Sequence, residues 1–106
     1  APPQPARPAA AALHPGTQRV LLATSRLVAL LRAAGEEELA GDFRTAGRRL
    51  ATDETAGLYG LQALFRRLRE TSLRDARSQA RLRQLAVELR QAVVDRAEQL
   101  ELLPFG

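Results

Sequence analysis

Cysteine, tryptophan, methionine and lysine are all missing from this chain of 106 residues, and aromatic side chains are scarce. Without Cys there is neither a disulfide framework nor a thiolate metal site, so stability has to come from packing, and the redox compartment is left open. With only Phe43, Tyr59, Phe65 and Phe105 as aromatics, the core must be built from Leu, Val and Ala, which suits close helix packing better than a strand-rich sandwich. No apolar run approaches the length of a membrane span, so no transmembrane helix is expected. Enzyme signatures are missing too. The single histidine, His14, stands before Pro15 in a segment that reads as tail, where no catalytic geometry could hold it. No Gly-rich phosphate loop follows a strand, and no His/Glu pairing is spaced to hold a metal. The expectation is a non-enzyme with no cofactor, no metal and no small-molecule substrate.

The missing lysine leaves sixteen arginines as the whole basic complement, for a net charge of +4. Codon usage accounts for such a bias. So does selection against lysine modification, or for the planar guanidinium that pairs with phosphate and carboxylate. A charge this modest favours acidic partners without implying nucleic acid. At this length the chain supports one small domain with one core. The absence of an initiator Met is read as a processed start or an excision from a larger protein.

Residues 1–16 hold five of the six prolines and read as a disordered Pro/Ala-rich tail or linker. The domain is expected over residues 17–106. Thr17 is placed as the cap of a first helix, 17–34, with Val20, Ala23, Thr24, Leu27, Leu31 and Ala34 in one stripe and Gly35 ending it. A second helix, 36–51, starts with Glu36, Glu37 and Glu38 and ends with Arg48 and Arg49, matching the helix dipole at both ends. Three consecutive carboxylates point in different directions, so the helix start, rather than a cation site, explains them. Thr52 or Asp53 caps a third helix, 54–69, whose buried face is Leu58, Leu61, Leu64, Phe65 and Leu68. The last helix, 73–103, is read as starting from Ser72 with Asp75 and closing at Pro104.

That last helix is the longest, and it carries two apolar faces. Leu82, Leu85, Ala86, Leu89, Ala92, Val93, Leu100 and Leu103 fall on one side, and Leu73, Ala76, Ala80, Val87 and Val94 roughly opposite. The fold class that follows is all-α, a small up-and-down four-helix bundle with a long C-terminal helix. Its end is expected to overhang the shorter helices and leave apolar surface around Val94 to Leu103. No Gly or Pro separates the third and fourth helices, so one continuous helix is the alternative there.

Leu39, Phe43, Leu50, Leu64 and Phe65 set a rhythm that resembles small helical adaptor bundles such as the harmonin-homology domain, although the Tyr expected at the end of the second helix is absent. A basic-ended bundle after a Pro-rich tail also looks like the membrane-localisation modules of secreted bacterial effectors. Both resemblances imply a binding module. Two sites are therefore expected. The first is the stripe Leu73, Ala76, Ala80, Val87 and Val94, as a contact for another protein or for a second copy of the chain. The second lies in a basic stretch, residues 66–83, where seven Arg face two acids for a net of +5. Within it Arg66, Arg67, Arg69, Arg74, Arg77 and Arg81 would face an anionic surface, such as phospholipid head groups. The first reading is a non-catalytic adaptor or scaffold domain, soluble and intracellular. The second is peripheral membrane targeting. Nucleic acid is not expected as a partner, because no aromatic stacking platform and no groove-reading helix is evident.

Overall fold

The structure, a computed structural model, describes residues 13–102. Its four helices are α1 (Pro15–Ala33), α2 (Glu37–Arg49), α3 (Glu54–Arg69) and α4 (Ala76–Gln99). Each start has a local cause. His14 caps α1 by accepting the Gly16 N–H on Nδ1 at 2.8 Å, and Pro15 fills the first helical position, where an N–H has no partner anyway. The Asp53 carboxylate accepts from Ala56 N–H at the head of α3. Asp75 accepts from both the N–H and the hydroxyl of Ser78 at the head of α4. These two bonds hold the Asp75 carboxyl below its ordinary pKa, the Ser78 hydroxyl contributing most. α2 lacks a side-chain cap but carries Glu37 and Glu38 in its first turn and Arg48 and Arg49 in its last.

The end of α1 is fixed by Gly35, whose φ of 83° suits a residue without a Cβ. There the N–H of Glu36 bonds to the Leu31 carbonyl and that of Gly35 to the Arg32 carbonyl, consuming two orphan acceptors. Glycine matters again at Gly57, where a Cβ would come within 2.8 Å of the Leu50 backbone nitrogen. The absent side chain lets α3 start directly against the end of α2.

α1 packs on α2 and α4, and α3 packs on α2 and α4, so the helices go round in chain order as an up-and-down four-helix bundle. Of the four seams, α1–α4 is the most extensive and α3–α4 the sparsest. The core between them is nearly all aliphatic, with Val20, Leu27, Leu31, Phe43, Leu58, Leu61, Leu89 and Val93 fully buried. The inner face expected of α4 is buried at Leu82, Leu85, Leu89, Ala92 and Val93, and Leu103 lies outside the described residues.

Several expectations are corrected. The bundle begins at residue 15 rather than 17, because His14 caps α1 and is no loose tail residue; residues 1–12 of the expected tail lie outside the described residues. Thr17 is therefore no cap but a buried side chain. α4 starts at Ala76 rather than residue 73, since Asp75 wins the capping role that Ser72 was given, and residues 70–75 break α3 from α4. That break excludes one continuous helix. The expected overhang is not there either: Val94 is partly buried, Ala97 is buried, and Leu100 and Leu102 pack on the core, because α1 starts early enough to run alongside the end of α4.

Candidate functional site

In an up-and-down bundle the start of α1, the end of α2, the start of α3 and the end of α4 share one end. That end is closed by a polar cluster. Arg96 on α4 places Nε 2.8 Å and an Nη 3.1 Å from the two Glu54 carboxylate oxygens, and its other Nη donates to Gln99 at 3.0 Å. Thr17 on α1 donates its hydroxyl to the same carboxylate. One glutamate thus ties three helices together. The Arg96 side chain is only 10% exposed and that of Glu54 24%, so the pair is largely withdrawn from water. Arg96 holds the Glu54 carboxyl below its ordinary pKa, with Thr17 helping and burial opposing. No buried side-chain polar atom among the described residues lacks a hydrogen-bond partner. The geometry is forked and doubly bonded, and each of the three guanidinium nitrogens has a partner.

The opposite end gathers the close of α1, the start of α2, the close of α3 and the start of α4. It brings the expected arginines together, but their surroundings differ from a linear tally. Arg67 lies 2.5 Å from Asp42 and 3.9 Å from Glu38, both on α2. Arg66 pairs with Glu70 one turn on, at 3.1 Å. Arg81 donates to Gln84. Arg69, Arg74 and Arg77 have no side-chain partner among the described residues. The acidic start of α2 shares this end, so Arg32, Arg66, Arg67, Arg69, Arg74, Arg77, Arg81 and Arg83 face Glu36, Glu37, Glu38, Asp42, Glu70 and Asp75. The +5 of the isolated stretch is largely offset in three dimensions.

The expected apolar stripe is brought together only in part. Leu73 is corrected: it lies in the 70–75 connection, its N–H donates to Gln79 Oε1 at 2.6 Å, and its side chain leans on the core. Ala76 and Ala80 are exposed on α4, Val94 is partly buried, and Val87 is 68% exposed, the most open large apolar side chain described. Val87 is the ridge between two grooves. On one side, between α3 and α4, Phe65, Leu68, Leu82, Ala86 and Val87 line a groove of about 200 Å³ bordered by Arg69, Arg83 and Arg90. On the other, Val87 and Leu22, itself 54% exposed, line a second groove along the α1–α4 seam.

The α3–α4 groove was not read from the sequence. Phe65, Leu68 and Leu82 all carry a core pattern, and nothing in that pattern says the seam above them stays open. Its outer border was legible, since Arg83, Val87 and Arg90 stand at i, i+4 and i+7 on one helix face. Comparison of the chain with protein-family models, with curated proteins and with solved structures finds no match. No helix among the described residues is long and apolar enough to cross a membrane, and no group of His, Cys, Asp and Glu among them could hold a metal ion.

Proposed function

We propose that this chain is a non-catalytic interaction domain that takes an acidic amphipathic helix of another protein in the groove between α3 and α4. The observation that carries the reading is the groove itself, an apolar floor beside the protruding Val87 with an arginine border. Its volume of about 200 Å³ lies below the roughly 300–1,000 Å³ of small-molecule sites. It suits a few apolar anchor side chains spaced along a helix. The partner's charge follows from the border: Arg69 and Arg83 have no partner among the described residues, and carboxylates flanking the anchors would pair with them.

The test is a helical peptide with Leu at i, i+4 and i+7 and Glu beside each anchor. It should bind the wild type, and Val87→Glu should weaken binding by roughly 30-fold, because a charge then sits in the apolar contact. Arg69→Glu with Arg83→Glu should transfer the preference to a peptide carrying Lys in place of Glu. Equal binding of both peptides by the wild type would leave hydrophobic stickiness only, and concentration-dependent sedimentation abolished by Val87→Glu would point instead to a second copy of the chain as the occupant.

Attachment to an anionic membrane is the weaker reading. The acids that begin α2 share that end of the bundle and offset its positive charge, with Glu38 and Asp42 both within ion-pair distance of Arg67.

A further inference from the structure

We infer that Ser72 is a phosphoacceptor for an arginine-directed serine/threonine kinase, and that the phosphate it receives is held by the flanking Arg69 and Arg74. The chain has nine hydroxyl side chains other than its tyrosine, and the structure separates them sharply. Thr17 donates to Glu54, Thr24 to the Val20 carbonyl, Thr45 to Gly41, Thr52 to Arg49, Thr71 to Arg67 and Ser78 to Asp75. Three remain without a partner among the described residues, and two of those, Ser25 and Thr55, lie inside helices. Ser72 alone combines a free hydroxyl with exposure and a non-helical backbone.

Its neighbours hold it in that position. Thr71 is anchored backward by its N–H to the Leu68 carbonyl and by its hydroxyl to the Arg67 carbonyl, and Leu73 forward by its N–H to Gln79. Ser72 protrudes between two fixed points. Arg67 and Arg69 precede it by five and three residues, and Arg74 and Arg77 follow by two and five. Two acids lie in the same stretch, and both are engaged, Glu70 by Arg66 and Asp75 by Ser78. A kinase whose substrate groove is lined with carboxylates would find Arg69 and Arg74 without competing partners. The last turn of α3 can open locally to present them at far less cost than global unfolding.

In the transfer, the Ser72 Oγ attacks the γ-phosphorus of a nucleoside triphosphate. The new O–P bond forms as the bond from that phosphorus to the β–γ bridging oxygen breaks, the nucleoside diphosphate departs, and the hydroxyl proton passes to a base of the kinase. The product carries about −1.5 to −2 of charge and three acceptor oxygens. It lies three residues after Arg69 and two before Arg74, neither of which has a side-chain partner among the described residues, and four residues before the positive end of α4. Such a phosphate would form charge-assisted hydrogen bonds that pin α3 to α4 across their sparsest seam. The regulatory consequence rests on the docking reading. Arg69 borders the α3–α4 groove, so pairing it with phosphate removes a cation that the acidic helix needs.

The experiment treats the whole chain with a purified arginine-directed kinase and ATP, then maps phosphate by tandem mass spectrometry. Expected is modification at Ser72 with none at Ser25 or Thr55, lost in Ser72→Ala. Arg69→Gln should slow it by roughly tenfold, the value of one charge-assisted hydrogen bond. No phosphate at Ser72, or equal phosphate at Ser25 or Thr55, overturns the assignment. Affinity for the acidic peptide, measured before and after, reads the consequence: a fall of roughly fivefold is expected from the loss of one rim charge contact, and unchanged binding overturns the regulatory link while leaving the acceptor site standing. If the unmodified chain binds no acidic peptide, the docking reading fails, and the acceptor assignment is judged by the phosphate map alone.

Discussion

The two ends of this bundle use the same residue for opposite purposes. At one end Arg96 is 10% exposed and gives three hydrogen bonds to Glu54 and Gln99. At the other Arg66 is 82% exposed and gives one to Glu70. Burial, not residue type, sets the difference. A guanidinium drawn out of water must have all its bonds made or it destabilises the fold, whereas an exposed one exchanges its partner for solvent at little cost. The closed end therefore spends its arginine on architecture, and the open end leaves Arg69, Arg74, Arg77 and Arg83 without a side-chain partner among the described residues.

The sharpest way to break that contrast is to remove Arg96. Arg96→Ala should cost about 3 kcal/mol in chemical denaturation, because it strips the Glu54 carboxylate of its cation and also opens a gap at the close of α4. Adding Glu54→Gln should recover part of the loss, since the stranded charge goes with it. A double variant as unstable as the single would show that packing, not the ion pair, closes this end. Next in size is Gly57→Ala. The new Cβ meets backbone atoms of Leu50 rather than a yielding side chain, so the α2–α3 corner must shift at about 2 kcal/mol, against roughly 1 kcal/mol gained from helix propensity. A net gain in stability would mean that the corner relaxes freely.

Most of the architecture was legible in the sequence, for a physical reason. Helix period, dipole-matched termini on α2 and the Gly35 stop are local signals, and local signals survive without a structure. The failures came where two local candidates competed or where distant segments met. Ser72 and Asp75 both can cap α4, and the carboxylate prevailed with its two bonds to Ser78. That shift of three residues took Leu73 off the helix and out of the expected stripe. In its own stretch Thr17 reads as a helix cap and Arg96 has no assigned role; only their convergence on Glu54, from 37 and 42 residues away, buries them. The charge of the open end was misjudged the same way, since Asp42 lies 25 residues from the Arg67 it neutralises.

Acid should act on the closed end before it touches the helices as such. Arg96 holds the Glu54 carboxyl below the ordinary value of 4.5, so the unfolded chain takes up that proton first as pH falls. The stabilisation is complete above the unfolded value and is lost as pH drops through the folded one. Asp95, held low chiefly by Arg19 with Gln91 helping, loses its contribution in the same direction. The prediction is a decline in denaturation midpoint below about pH 4.5 that is shallower in Glu54→Gln, which has no such proton to bind. Identical pH profiles for the two chains would remove Glu54 as a source of stability.

The smallest expected change in stability is also the one that bears most directly on function. Arg69 and Arg83 border the α3–α4 groove and make no contact with a partner among the described residues. Replacing both with Gln removes two charges but keeps part of the aliphatic stem at each position. Surface changes of this kind stay within about 0.5 kcal/mol, so the unfolding midpoint should hardly move. Affinity for an acidic helix should nonetheless fall by roughly 30-fold, the value of two rim charge contacts at about 1 kcal/mol each. Raising salt should weaken the wild type toward the variant, because screening acts on the same exposed charges. The two arginines would be structural after all if the double substitution lowered stability by as much as Arg96→Ala does, and the contrast between the two ends would then collapse.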